Sequence, residues 1–172
     1  MRRRQSIRRF KGKPLSEKQI LKIISAGVTA PSSLNSQPWK FVVLKSASKK
    51  KRLRDIYTDA RVKLKLYEQD TSFVEKATPI IVVCEDSDYG KVLSCGMAIQ
   101  NMFLAAEAMG LGGLPSVAIL EHDESLKELE QLIGVSGKQK IVLVTYFGFK
   151  DEKPNRKPKK EVKGLIVTDS LQ

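Results

Sequence analysis

The stretch Ala30-Pro31-Ser32-Ser33-Leu34-Asn35-Ser36-Gln37-Pro38-Trp39-Lys40-Phe41-Val42-Val43-Leu44 holds the end of a helix, a polar loop and the start of a sheet. Pro31 has no backbone N–H to donate, so the helix before it stops there. Ser32 to Gln37 then form a mostly polar loop, stiffened at its ends by Pro31 and Pro38. Trp39–Leu44 reads as a buried strand, because Phe41 to Leu44 are apolar without interruption, as in a strand covered on both faces. Upstream, Pro14-Leu15-Ser16-Glu17-Lys18-Gln19 opens a helix, with Ser16 as cap and Gln19 at the reciprocal capping position. Ile20, Leu21, Ile23, Ile24 and Val28 continue it at helical spacing.

Downstream, residues 47 to about 69 are predicted helical, with Leu53, Ile56, Tyr57, Val62, Leu64 and Leu66 as the apolar members. Pro79–Cys84 is a second β-branched strand, stopped by Glu85-Asp86-Ser87-Asp88. From Tyr89 to Met109 the pattern is a long, nearly all-apolar helix, which must be buried on most faces, at a domain centre or a subunit interface. Gly110 to Gly113 are expected to end it, followed by a short strand or extended segment over Leu114–Ile119, a short helix over Glu124–Ile133 and a strong strand over Gln139–Phe147. The tail beyond Gly148 is rich in Lys and Pro and returns to apolar residues at Leu165-Ile166-Val167, the pattern of an arm that pairs with a sheet, a neighbour's included. Strands alternate with helices and no internal repeat is visible. The class is therefore mixed α/β or α+β in three layers, with residues 1–172 forming one domain.

With 172 residues, 41% hydrophobic and 29% charged, the composition is globular. The apolar runs are too short to span a bilayer. Met1 to Phe10 is basic but lacks the apolar stretch of a secretory signal, which sets a cytoplasmic expectation. Cys84 and Cys95 do not have Cys-x-x-Cys spacing and read as two reduced, buried thiols, not a redox pair or zinc site. The balance of 31 Lys+Arg against 19 Asp+Glu, net +12, attracts polyanions, including phosphorylated cofactors. Nucleic-acid binding ordinarily adds aromatic residues or a reading motif to such charge, and aromatics here are only 6%. The run Lys45–Arg54 reads as a solvated helix face.

No nucleophile elbow, Walker loop, dinucleotide fingerprint or metal-spaced carboxylate cluster appears, and the single histidine, His122, lies in a charged stretch and reads as solvent-facing. An enzyme of this composition draws its chemistry from a cofactor. Arg4-Gln5-Ser6, with Arg8, offers guanidinium forks, an amide and a hydroxyl, which suit a phosphate and sugar. The 32–37 loop offers neutral hydrogen-bonding groups for the polar edge of a flat heterocycle. Arg156 and Lys157 stand where they can close on the same phosphate.

Arg4-Gln5-Ser6-Ile7-Arg8-Arg9-Phe10, followed by Pro31-Ser32-Ser33-Leu34-Asn35-Ser36-Gln37-Pro38-Trp39, resembles the FMN-dependent nitroreductase family. The Ala/Gly-rich helix to Gly112, the strand end Tyr146-Phe147-Gly148-Phe149 and the basic Arg156-Lys157-Pro158 extend the likeness over almost the whole chain. The resemblance implies an α+β, three-layer α/β/α sandwich with a mixed, mainly antiparallel sheet. It also implies a homodimer that exchanges its C-terminal arm and holds FMN at the subunit interface. By the same resemblance Arg4, Gln5 and Ser6 contact phosphate and flavin, and Arg156 or Lys157 closes on the phosphate. Pro31, Ser32, Ser33 and Asn35 surround the ring, from one or both subunits, with Gln37 in support. Pro115 and the backbone of Val117 and Ala118 lie beside it. NADH or NADPH would reduce the flavin, and a nitroaromatic, quinone or similar acceptor would reoxidise it in a ping-pong cycle, with no catalytic side chain and no metal. Reductive dehalogenation, flavin cleavage, a cofactor-binding sensor and a basic nucleic-acid module are the alternatives. The sequence departs from the family's usual pattern at Gln5, Ala118 and Lys150, and in a shorter segment between Arg61 and Thr78.

Overall fold

The computed structural model describes residues 4–66, 69–153, 158–161 and 165–166. Helix α1 (Glu17–Val28) begins at the expected capping box, in which Ser16 Oγ accepts from the Gln19 N–H and Gln19 Oε1 accepts from the Ser16 N–H at 2.9 Å. After the polar loop come β1 (Trp39–Val43), α2 (Ala47–Lys63), the single turn α3 (Phe73–Lys76) and β2 (Thr78–Cys84). Then follow α4 (Tyr89–Ala108), β3 (Leu111–Ser116), α5 (Asp123–Ile133) and β4 (Lys140–Phe149).

The four strands lie in the order β1-β2-β4-β3, with every neighbouring pair antiparallel. Two isolated bridges, Ser6 with Gly113 (parallel) and Phe10 with Lys150 (antiparallel), add the N-terminal segment to the β3 side. All seven residues of β2 are buried, as expected of a strand covered on both faces. Its side chains alternate between two cores. Ile80, Val82 and Cys84 pack with Ile23 of α1 and Ala98, Met102 and Phe103 of α4. Ile81 and Val83 pack with Leu53, Ile56 and Tyr57 of α2, Phe73 of α3 and Leu129 of α5. Helices therefore cover both faces, giving the three layers read from the sequence. Among the described residues no helix is long and apolar enough to cross a membrane.

Several boundaries, and the placement of His122, differ from the sequence reading. The expected segment Leu114–Ile119 is replaced by a strand over Leu111–Ser116, and the strand expected over Gln139–Phe147 runs over Lys140–Phe149. Helix α2 stops at Lys63 and not near residue 69. Lys65 takes a left-handed φ of 51°, and the Leu66 N–H reaches back to the Arg61 carbonyl at 3.0 Å, closing the last turn as a glycine usually does. Gly112 and Gly113 belong to β3 and do not end α4; Gly110, at φ 73°, makes the turn alone. His122 caps α5, its Nδ1 accepting from the Ser125 N–H at 3.3 Å, and is half-buried, not solvent-facing. The basic run on α2 is tied down as a helix face: Arg52 pairs with Glu128 at 2.5 Å, Arg54 with Glu75 at 2.8 Å, and Lys50 donates to the Glu75 carbonyl at 2.7 Å.

Two buried groups have measurable consequences. Tyr146 lies wholly buried, edge-on to Phe73 at 5.1 Å and Tyr57 at 6.2 Å, and its hydroxyl has no hydrogen-bond partner among the described residues. An unpaired buried hydroxyl is a desolvation cost without a return. Tyr146→Phe is expected to leave stability unchanged or raise it by about 1 kcal/mol, read by urea unfolding, whereas most core substitutions destabilise. Cys84 and Cys95 are both fully buried and free. Burial, then the neighbouring Cys84, pushes the Cys95 thiol from 9.0 up to about 12. Above pH 9 the unfolded thiol loses its proton while the folded one keeps it, so rising pH favours unfolding, by at most about 1.4 kcal/mol per pH unit from this group. Cys95→Ala is expected to flatten the fall of stability between pH 9 and 10.5, measured by denaturant titration at each pH.

Candidate functional site

The first candidate wall is built on β3. Ser6 bridges Gly113, and the Ile7 N–H donates to the Gly113 carbonyl at 3.0 Å. The arm lies this close only because residue 112 has no side chain, and the Phe103 ring of α4 packs close because residue 113 has none. A Cβ on Gly112 would stand 2.7 Å from Ile7 Cγ1, and one on Gly113 2.6 Å from the Phe103 ring. The arm then carries Arg4 and Gln5, both half-buried, along the sheet edge. Gln5 Oε1 is buried and has no hydrogen-bond partner among the described residues. Pro115, exposed, lies further along β3; just beyond the strand, Val117 is half exposed and Ala118 opens a one-turn 3-10 helix, buried in the core that also holds Ile7. The structure therefore seats Ser6 and Ile7 on Gly112 and Gly113, with Arg4 and Gln5 preceding them on the arm.

The second wall is the loop before β1. It contains a one-turn 3-10 helix (Ser33–Asn35), and Leu34, Asn35 and Gln37 all have left-handed φ values of 46 to 52°. Such a backbone costs roughly 1–2 kcal/mol for each ordinary residue and is held by its surroundings. The Gln37 N–H donates to Ser32 Oγ at 3.0 Å, and Gln37 Nε2 to Asn35 Oδ1 at 3.4 Å. The loop is fixed to α4: the Ser33 N–H donates to Ser94 Oγ at 3.1 Å, and Ser94 in turn donates to the Gly90 carbonyl at 2.6 Å. Pro31, Ser33, Asn35 and Gln37 are exposed, and Ser32 is half-buried.

The two walls belong to opposite edges of the sheet. Strands β1 and β3 are separated by β2 and β4, three spacings or roughly 14 Å. Arg156 and Lys157 lie outside the described residues. The sequence reading passed over Ser94, a lone hydroxyl in an apolar helix, and Glu152, whose carboxylate accepts from the Arg8 and Arg9 N–H groups. It also passed over an open concavity of about 560 Å³ where α2 ends, walled by Thr58, Arg61, Val62, Leu66, Gln69, Asp70 and Thr71. There Gln69 Nε2 is buried without a partner among the described residues, and the N–H and hydroxyl of Ser72 hold the Asp70 carboxyl below its usual range.

The model of the Nitroreductase family matches residues 1–149. This chain belongs to that family. It is 30% identical over 157 residues to a protein of Archaeoglobus fulgidus assigned as an NADH dehydrogenase/NAD(P)H nitroreductase, covering 87% of this chain and 83% of the relative. It is 23% identical to an iodotyrosine deiodinase of Thermotoga neapolitana, covering 93% and 91%. The fold is that of a nitroreductase with bound FMN from Bacteroides fragilis, at a TM-score of 0.76 and 24% identity, over 97% and 95% of the two chains.

In this nitroreductase-family chain the floor under the arm is testable. Gly112→Ala is expected to cost about 1–3 kcal/mol by forcing Ile7 off β3, as overpacking in a well-filled core does. The loss is read as a fall of several degrees in Tm, with increased amide exchange at Ile7.

Proposed function

We propose that this protein is an FMN-dependent NAD(P)H oxidoreductase that works as a homodimer. The observation that carries the reading is the arm: Gln5 Oε1, buried and without a partner among the described residues, beside the half-buried Arg4 on a segment floored by glycine. An orphaned buried acceptor asks for a donor from a ligand. As an acceptor it suits a ring N–H or a sugar hydroxyl, while the Arg4 guanidinium and the Ser6 hydroxyl suit phosphate oxygens. The described residues thus fit FMN, and Arg156 or Lys157 would add a second cation at the phosphate.

FMN, when bound, supplies the two-electron chemistry, taking hydride from a nicotinamide and passing electrons to an acceptor. The protein's own task is to bind, orient and exclude water. Arg4 provides positive charge for an anionic ring. Pro115 and Val117, with the backbone at Ala118, would form the apolar side of the cleft. Ser32, Ser33, Asn35 and Gln37 close it with uncharged polar groups, which hydrogen-bond a heterocycle without fixing its protonation.

The loop and the arm of one chain stand on opposite sheet edges, so a second copy brings its loop to this chain's arm. Tyr89, Leu93 and Met97, at i, i+4 and i+8 on α4, are 81%, 52% and 37% exposed, and Leu34 on the adjoining loop is 99% exposed. That apolar stripe is the surface a partner covers. Leu165 and Ile166, 60% and 65% exposed, support an arm that packs on the second subunit.

Nitroaromatics and quinones are the proposed acceptors. The near full-length likeness to a deiodinase supports reductive dehalogenation as a second reading, separated from the first by turnover of an iodinated phenol. Purified protein is expected to be yellow, or to become so with FMN, and to give parallel-line kinetics with NAD(P)H and menadione. Protein that stays colourless after incubation with FMN refutes the reading.

A further inference from the structure

The arm that carries Arg4, Gln5 and Ser6 is held from the side by the segment that follows β4. The Lys11 N–H donates to the Phe149 carbonyl at 3.0 Å, Phe10 bridges Lys150, and the Asp151 N–H donates to the Arg9 carbonyl at 3.0 Å. One step further the pattern changes from backbone to side chain. Glu152 Oε1 accepts from the N–H of Arg8 and, at 3.1 Å, from the N–H of Arg9.

The change has a cause in the arm itself. Ile7 and Phe10 are buried at 1% and 2% exposure, while Arg8 and Arg9 between them are both exposed. A strand turns alternate residues to opposite sides, so two successive outward residues mean that the chain bends there. The bend presents two consecutive N–H groups to one side, a geometry that a strand ladder cannot satisfy and a single carboxylate oxygen can. From that bend the chain runs back through Ile7, pinned on Gly113, to Ser6, Gln5 and Arg4.

We infer that Glu152 is a positioning residue for the phosphate end of the cofactor site: its carboxylate fixes the bend at Arg8-Arg9 and so the direction in which Arg4-Gln5-Ser6 leaves the sheet. The inference rests on the flavin reading above. Glu152 touches no ligand. It acts through the arm, and it also joins the arm to the segment that leads, four residues later in sequence, to Arg156.

The test compares two flavins that differ only in the phosphate. Dissociation constants of FMN and riboflavin are measured by fluorescence quenching for the wild-type apoprotein, Glu152→Ala and Glu152→Gln, with the Tm of each apoprotein as a check on folding. Glu152→Ala is expected to weaken FMN about tenfold, the effect of losing hydrogen bonds to a charged acceptor, and to leave riboflavin within threefold of wild type. Glu152→Gln keeps an accepting oxygen and is expected to hold FMN within threefold of wild type. An Ala variant that binds FMN within threefold of wild type, or loses riboflavin by the same factor as FMN, overturns the assignment. So does a Gln variant as weak as Ala. Wild-type protein that binds neither flavin sinks the flavin reading itself, which the variants alone do not.

Discussion

The close approach of the N-terminal arm to β3 is the constraint on which the rest of the site depends. Ile7 occupies the space that a side chain on Gly112 would fill, and the ring of Phe103 occupies that of Gly113 from the α4 side. One pair of glycines thus lets a buried arm lie on one flank of a strand and a helix pack on another. The apolar side chain of Ile7, inserted into the core under α2, α3 and α5, anchors the polar residues that precede it. Hydrophobic burial supplies the energy, and the hydrogen bonds supply the direction.

The loop on the other edge uses a different device. Its polar groups face outward on a backbone that three left-handed residues make stiff, and Ser94 fastens it to α4. A loop already held in shape loses little freedom when a ligand arrives, so less of the binding energy is spent on ordering it. Leu34, almost wholly exposed, belongs to the same rigid turn as Asn35, so the apolar contact and the polar contact are presented together.

Much of this was legible in the residues. The capping box at Ser16, the strand after Pro38, the β-branched run Pro79–Cys84 and the long apolar helix are local patterns, and each formed where its chemistry indicated. The strand after Pro38 is, however, an edge strand with only Trp39 buried, and not one covered on both faces. The misplaced boundaries share one cause. Lys65 takes a conformation that favours glycine, so the end of α2 had no signal, whereas Gly112 and Gly113 looked like a turn although steric contact with distant residues demands them. At the site, Arg4, Gln5 and the 32–37 loop stood out by residue type. Ser94 and Glu152 did not, because their partners lie 61 and more than 140 positions away and no local pattern marks a long-range hydrogen bond.

Those separations set an order of events. The seat of Ile7 is made by Gly113, that of Phe10 by Gly148 and Lys150, and that of the Arg8-Arg9 peptide by Glu152. During synthesis the arm precedes every part of its seat, which is not complete until residue 152 has been made. Closing so long a loop is entropically unfavourable and comes after the local helices. The segment from Ser6 to Phe10 therefore waits for β3, the end of β4 and Glu152 before it can be seated.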